Sequence, residues 1–120
     1  MKILISDPLS DAAIAVLQAE RDWETIVSTA DDFASDLVDA DALIVRSTTK
    51  VTRSVLAKAL KLRAIGRAGI GVDNVDTEAA TEQGVVVMNT PGGNAISVAE
   101  HTLALMLALA RMVAQANEST

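Results

Sequence analysis

Residues Gly66 to Asp76 read GRAGIGVDNVD and hold three of the six glycines of the chain. Glycines at that density let a loop bring backbone amides close to an anion, because no Cβ stands between main chain and ligand. The order is G-x-x-G-x-G, whereas the dinucleotide fingerprint is G-x-G-x-x-G. Read forward from Gly69, the fingerprint fails at its last position, where Asn74 puts a side chain at the point of close helix–strand packing. The loop is either an anion cradle of another kind or a glycine-rich turn with no ligand.

Charge bears on that choice. Arg46, Lys50, Arg53, Lys58, Lys61, Arg63 and Arg67 are seven of the ten basic residues, and no acid lies between Ala42 and Val72, in a chain whose net charge is −6. Such a run is ordinarily a solvated face, yet beside a glycine loop it also supplies the charge complement of a small anion. Asp31, Asp32, Asp36, Asp39 and Asp41 form a solvated connection without the compact oxygen-ligand spacing or glycine of an EF-hand, and no metal is expected. His101 is the single histidine, and there is no cysteine, which leaves no basis for a nucleophilic triad. Next to Glu100 at the start of the last helix, His101 reads as a helix residue facing a partner surface. No residue of the chain is expected to be catalytic.

These groups need elements to position them. Strand-like and helical runs alternate along the chain: KILIS, DAAIAVLQAE, WETIVS, DFASDLV, DALIVR, TRSVLAKALK, RAIGRA, DTEAATEQ, VVVMN and SVAEHTLALMLALARMVAQA. Several strands are continuously apolar, as when helices cover both faces of a parallel sheet. The pattern predicts a three-layer α/β fold, flavodoxin-like (Rossmann-like), with a five-stranded parallel sheet in the order 2-1-3-4-5. Ser10 and Thr52 are expected to cap the first and third helices, Gly84 to close the fourth, and Ser97 with Glu100 to form a capping box on the last. That makes residues 91–96 a loop. In this order ligands sit at the carboxyl ends of the strands, which places Ser6, Asp7, Arg46, Ser47, Arg67 to Gly71 and Asn89 to Asn94 on one rim. An anion site there outweighs a bare turn.

The segments RSTTKVT (46–52), GRAGIGVDNVD (66–76) and NTPGGNAISVAEHTLALMLALAR (89–111) resemble the D-isomer-specific 2-hydroxyacid dehydrogenases, in particular the branch that oxidises 3-phosphoglycerate in serine biosynthesis. The resemblance implies that this region is the substrate-binding domain. It also implies a following NAD domain that carries the true fingerprint and the catalytic Arg, Glu and His, so NAD is the cofactor of the whole enzyme and none is expected on these 120 residues. By position, Arg46, with Ser47 beside it, matches a basic residue that holds the phosphorylated substrate. Gly69 and Ile70 match a loop whose amides hold its carboxylate, Gly71 beside them is a further candidate contact, and Asn94 matches a substrate-contacting asparagine. A small anion resembling 3-phosphoglycerate is therefore the expected ligand, bound weakly.

The resemblance divides the chain into 1–96, the flavodoxin-like domain, and 97–120, a helix that crosses to the NAD domain. Here that helix is expected to fold back on its own sheet or to exchange between two copies, giving a homodimer through 97–116. The reading kept beside this one is a free-standing flavodoxin-like module that binds a small anion or a partner without catalysis. A receiver-like domain is disfavoured, because the acidic cluster and lysine of a phospho-acceptor site are not evident after strands 1, 3 and 5. The acidic balance and a single Trp and Phe argue against nucleic-acid partners. The longest apolar run, Leu103 to Ala110, is too short for a bilayer, and the absence of cysteine fits a reducing compartment, so a cytoplasmic protein is expected.

Overall fold

The structure is a computed structural model and describes residues 1–111; the part of the expected last helix at 112–116 lies outside the described residues. Five βα units follow one another: β1 (Lys2–Ile5), α1 (Asp11–Gln18), β2 (Glu24–Val27), α2 (Phe33–Leu37), β3 (Ala42–Val45), α3 (Arg53–Lys58), β4 (Ala64–Arg67), α4 (Thr77–Glu82), β5 (Val86–Asn89) and α5 (Ala95–Ala110). The strands are all parallel, in the order β2-β1-β3-β4-β5. This is the α/β Rossmann-like architecture that the alternating pattern predicts.

Register explains where the core sits. Ile26, Leu4, Leu43, Ile65 and Val87 pair across the five strands. They form one row on one face, because side chains alternate along a strand. That row packs with Phe33 and Leu37 of α2, Leu56 of α3 and Ala79 and Ala80 of α4. Each fully buried leucine there contributes about 1.5–3 kcal/mol relative to solvent. The other face carries the rows Ile3, Ala42, Ala64, Val86 and Ile5, Ile44, Gly66, Met88. It is closed over β1, where Ile3 is 3% exposed, and open over β5, where Val86 and Met88 are 57% and 52% exposed. Leu17 of α1 borders the open part, a trough of about 820 Å³ lined also by Ala64, Val86 and Met88.

The helix starts have local causes. Ser10 Oγ accepts from the Ala13 amide at 3.2 Å, Thr52 Oγ1 from Val55 at 3.4 Å and Asp76 Oδ1 from Ala79 at 2.9 Å, each satisfying a first-turn amide that has no helical partner. Gly84, at φ +77°, ends α4 in the left-handed conformation that a Cβ would strain.

The last helix departs from expectation in two ways. It begins at Ala95, so its N-cap is Asn94, and Ser97 already lies inside the first turn without the capping box that its spacing with Glu100 suggests. The Thr90–Asn94 turn, with Gly92 at φ +76°, lets Asn94 O accept from Val98 N at 2.9 Å, which starts helical bonding three residues before Ser97. A division of the chain at 96/97 would therefore cut α5. Nor does α5 fold back as a covering helix: every one of its residues is exposed except the half-buried Ala108, and none is buried. Among the described residues no helix is long and apolar enough to cross a membrane.

Candidate functional site at the carboxyl rim of the sheet

The loop after β3 carries Arg46 and Ser47, and two buried side chains from other loops fix its backbone. Asp7, which leaves β1, is 2% exposed. Its Oδ2 accepts from the Arg46 amide at 2.6 Å and the Thr49 amide at 3.2 Å, and its Oδ1 accepts from Thr49 Oγ1 at 2.7 Å. Asn74, 5% exposed, donates from Nδ2 to Arg46 O at 2.6 Å and to Thr49 O at 2.8 Å. Both polar groups of the Arg46 main chain are thus held by side chains rather than by secondary structure. The two carbonyls orient the Asn74 amide, which leaves its buried Oδ1 without a partner among the described residues. Burial pushes the Asp7 carboxyl up, but the Thr49 hydroxyl and the amides of Arg46, Thr49 and Thr48 outweigh it and hold the group below its ordinary value. The clamp is therefore charged at neutral pH.

The loop after β4 turns sharply. Gly69 N donates back to Arg67 O at 2.9 Å, while Gly69 O accepts from Thr90 N at 2.9 Å and from Thr90 Oγ1 at 3.2 Å. Ile70 O accepts from Asn89 Nδ2 at 2.8 Å. In a trans peptide the N–H points opposite to the C=O of the preceding residue. Tying the Gly69 and Ile70 carbonyls to the β5 loop therefore turns the Ile70 and Gly71 amides the other way. Both residues are exposed, and among the described residues neither amide has an acceptor.

Arg67 closes this end of β4. Its Nη1 donates to Ala68 O at 3.2 Å, and among the described residues its buried Nε has no partner and no carboxylate pairs with it. A Cβ at Gly69 would overlap the end of its guanidinium, a flexible group that would have to move aside. Gly69→Ala should swing Arg67 away and weaken phosphate binding about tenfold, the worth of one charge-assisted hydrogen bond. Phosphate titration of the variant by NMR checks this; an unchanged affinity would mean that Arg67 takes no part. A recess of about 170 Å³ lined by Ile44, Gly66, Arg67, Met88, Asn89 and Thr90 adjoins the guanidinium. It is smaller than the 300–1,000 Å³ usual for a closed ligand pocket.

Of the residues expected at the site, Gly69, Ile70 and Gly71 share one turn, and Arg46 and Ser47 sit on a loop joined to it through Asn74, four residues beyond Ile70. Arg46 is exposed, with Nη1 3.4 Å from Pro8 O. Ser47 is exposed, and Asn94 caps α5 in the open; no hydrogen bond ties either to the rest of the rim among the described residues. His101 is exposed on α5. Sequence reasoning missed the supports: Asp7, Thr49, Asn89 and Thr90 as anchors, and Asn74, read there only as the position where a fingerprint fails.

The rim does not fit a dinucleotide. At such a site the pyrophosphate lies on the amides that open the following helix. Here Asp76 already caps α4 and sets a negative charge at that helix start, and the Gly69 amide is bonded within its own turn.

A parallel sheet of this order, with a glycine turn and two arginines on its carboxyl rim, is an α/β domain of the Rossmann-like class. Its sequence matches the D-isomer specific 2-hydroxyacid dehydrogenase catalytic domain over residues 3–120, and the chain belongs to that family. It is 52% identical over 120 residues to a D-3-phosphoglycerate dehydrogenase of Methanocaldococcus jannaschii, covering 99% of this chain and 23% of that protein. Among solved structures it is similar to NAD+-bound 3-phosphoglycerate dehydrogenase of Entamoeba histolytica, with a TM-score of 0.79 and 32% identity over 90% of this chain and 38% of that one. It is also similar to an NAD-dependent formate dehydrogenase of Staphylococcus aureus in complex with NAD, with a TM-score of 0.86 and 30% identity over 98% and 40%. The chain spans about a quarter of the length of the curated relatives it matches, 22–23%.

Proposed function

We propose that this chain is the substrate-binding part of a D-3-phosphoglycerate dehydrogenase, an NAD-dependent enzyme that oxidises a 2-hydroxy acid. The paired, outward-facing amides of Ile70 and Gly71 carry the reading, because two adjacent unbonded N–H groups on a turn without Cβ at Gly71 suit a carboxylate. Arg46 and Arg67 supply the positive charge for the phosphate, and Ser47 and Asn94 flank the same edge. Asp73 opposes them, since its carboxylate lies beside Gly71, and the ionised Asp7 balances the other arginine, so the positive charge is local to the two guanidinium groups. These residues bind and orient, and none of them moves a hydride or accepts the substrate proton. NAD, bound elsewhere in the enzyme, accepts the hydride.

Half a cleft leaves its ligand wet on one side, where solvent and salt weaken each contact, so affinity should be low. Titration of 3-phosphoglycerate into the chain should shift the Ile70 and Gly71 amides, with glycerate and inorganic phosphate each giving part of the effect. Shifts confined to residues remote from both loops would refute the site. With NAD present the 120-residue chain should form no NADH; turnover at an ordinary enzymatic rate, about 1 per second or more, would overturn the assignment of chemistry to other parts of the enzyme.

A further inference from the structure

We propose that Asp7 and Asn74 are positioning residues that hold the Arg46 loop in its ligand-ready shape before any ligand arrives. The inference rests on the substrate reading above, although the clamp is a property of the chain itself. Arg46 lies in an exposed loop that would otherwise have a free backbone amide and carbonyl, and a loop of that kind samples many conformations. Asp7 takes the amide and Asn74 the carbonyl, and both repeat the contact at Thr49, so the segment 46–49 is gripped at its two ends by one acceptor and one donor. The two grips come from different connections. Asp7 follows β1 at the centre of the sheet, and Asn74 lies in the loop that also carries Ile70 and Gly71.

Asn74 therefore couples the two halves of the rim. The glycine turn cannot shift without moving the amide that holds Arg46 O, and the reverse follows. Val51 strengthens the coupling by donating to Asn74 O at 2.8 Å and accepting from Asp76 N at 2.9 Å. Neither Asp7 nor the Asn74 side chain is exposed, so Asp7 acts on a ligand only through the Arg46 loop, and Asn74 through that loop and the turn.

The test combines a double-mutant cycle with amide hydrogen exchange on the 120-residue chain, using 3-phosphoglycerate as the probe. Asp7→Asn should weaken binding by about five- to tenfold, and Arg46→Ala by about tenfold. The double variant should be no weaker than Arg46→Ala alone, because a positioning residue has nothing left to position. Exchange at the Arg46 and Thr49 amides should rise at least tenfold in Asp7→Asn while the Leu43 and Ile65 amides keep their protection. Thr49→Val removes one bond of the clamp with little change of shape, and Thr49→Ser restores the hydroxyl. The first should show a smaller version of the same losses, and the second near wild-type affinity.

Losses that add in the double variant, or exchange that is unchanged at Arg46 and Thr49, would overturn the inference. If Asp7→Asn fails to fold, the Thr49 pair decides by the same two readouts. A wild-type chain that shows no shift at Ile70 and Gly71 sinks the substrate reading instead, and the exchange comparison still decides whether the clamp exists.

Discussion

Leu43→Ala should destabilise the domain by about 3–4 kcal/mol in urea unfolding, whereas Met88→Ala should cost less than about 1 kcal/mol. Leu43 is fully buried at the centre of the sheet, and truncating it removes transfer free energy and leaves a cavity among Leu4, Ile65 and the helices above them. A domain of this size holds roughly 5–15 kcal/mol in all, so the first change removes a large fraction of it. Met88 sits on the other face, 52% exposed, where truncation changes little that was taken from water. The contrast is functional as well as structural, because β3 ends in the Arg46 loop and its position is set by the row that Leu43 anchors. Both costs refer to the dilute monomer, and equal costs there would show that the chain's own α5 covers the open face.

The fold was legible because its signals are local and repeated. Continuous apolar runs such as Ile3-Leu4-Ile5 mark strands buried on both faces, and Ser10, Thr52 and Gly84 sit where helix ends need a side-chain acceptor or a left-handed residue. The candidate site was legible as a class, through glycine density next to a run of arginines. Its geometry was not. The direction of the Ile70 and Gly71 amides depends on Thr90 and Asn89 holding two carbonyls from 19 to 21 residues away, which no spacing rule encodes. The clamp is equally long-range, with Asp7 reaching across 39 to 42 residues. A strand-end aspartate reads as an ordinary polar loop residue until the loop that packs over it is known. The start of α5 differs from the expected one because Ser97 and Glu100 have the spacing of a capping box, while after the two-glycine turn the Asn94 carbonyl already accepts the first helical bond, from Val98 N.

The helix that stands clear leads to the other large effect. Leu103, Leu105, Met106, Leu107 and Leu109 of α5 are 52–78% exposed, so no face of this helix is polar enough to rest in water. The same chain leaves an apolar trough of about 820 Å³ open on its sheet, bordered by Val86, Met88 and Leu17. Each copy thus carries both halves of one apolar contact, and a reciprocal exchange in which α5 of each copy lies on the open face of the other satisfies both with a two-fold, closed interface. A single polypeptide satisfies neither while its helix projects. The 120-residue chain should therefore be a dimer in light scattering at tens of micromolar and dissociate on dilution. Leu105 and Leu109 are one helical turn apart and share a face. Replacing both by Glu keeps helix propensity while placing two charges where a contact must be dry. Each buried leucine contributes about 1.5–3 kcal/mol, so the pair should raise the dissociation constant by at least about a hundredfold. Met88→Glu, on the opposite side of the contact, should have the same direction of effect without touching α5. A chain that stays monomeric at high concentration, or a dimer indifferent to both sets of changes, would show that α5 and the sheet do not cover each other.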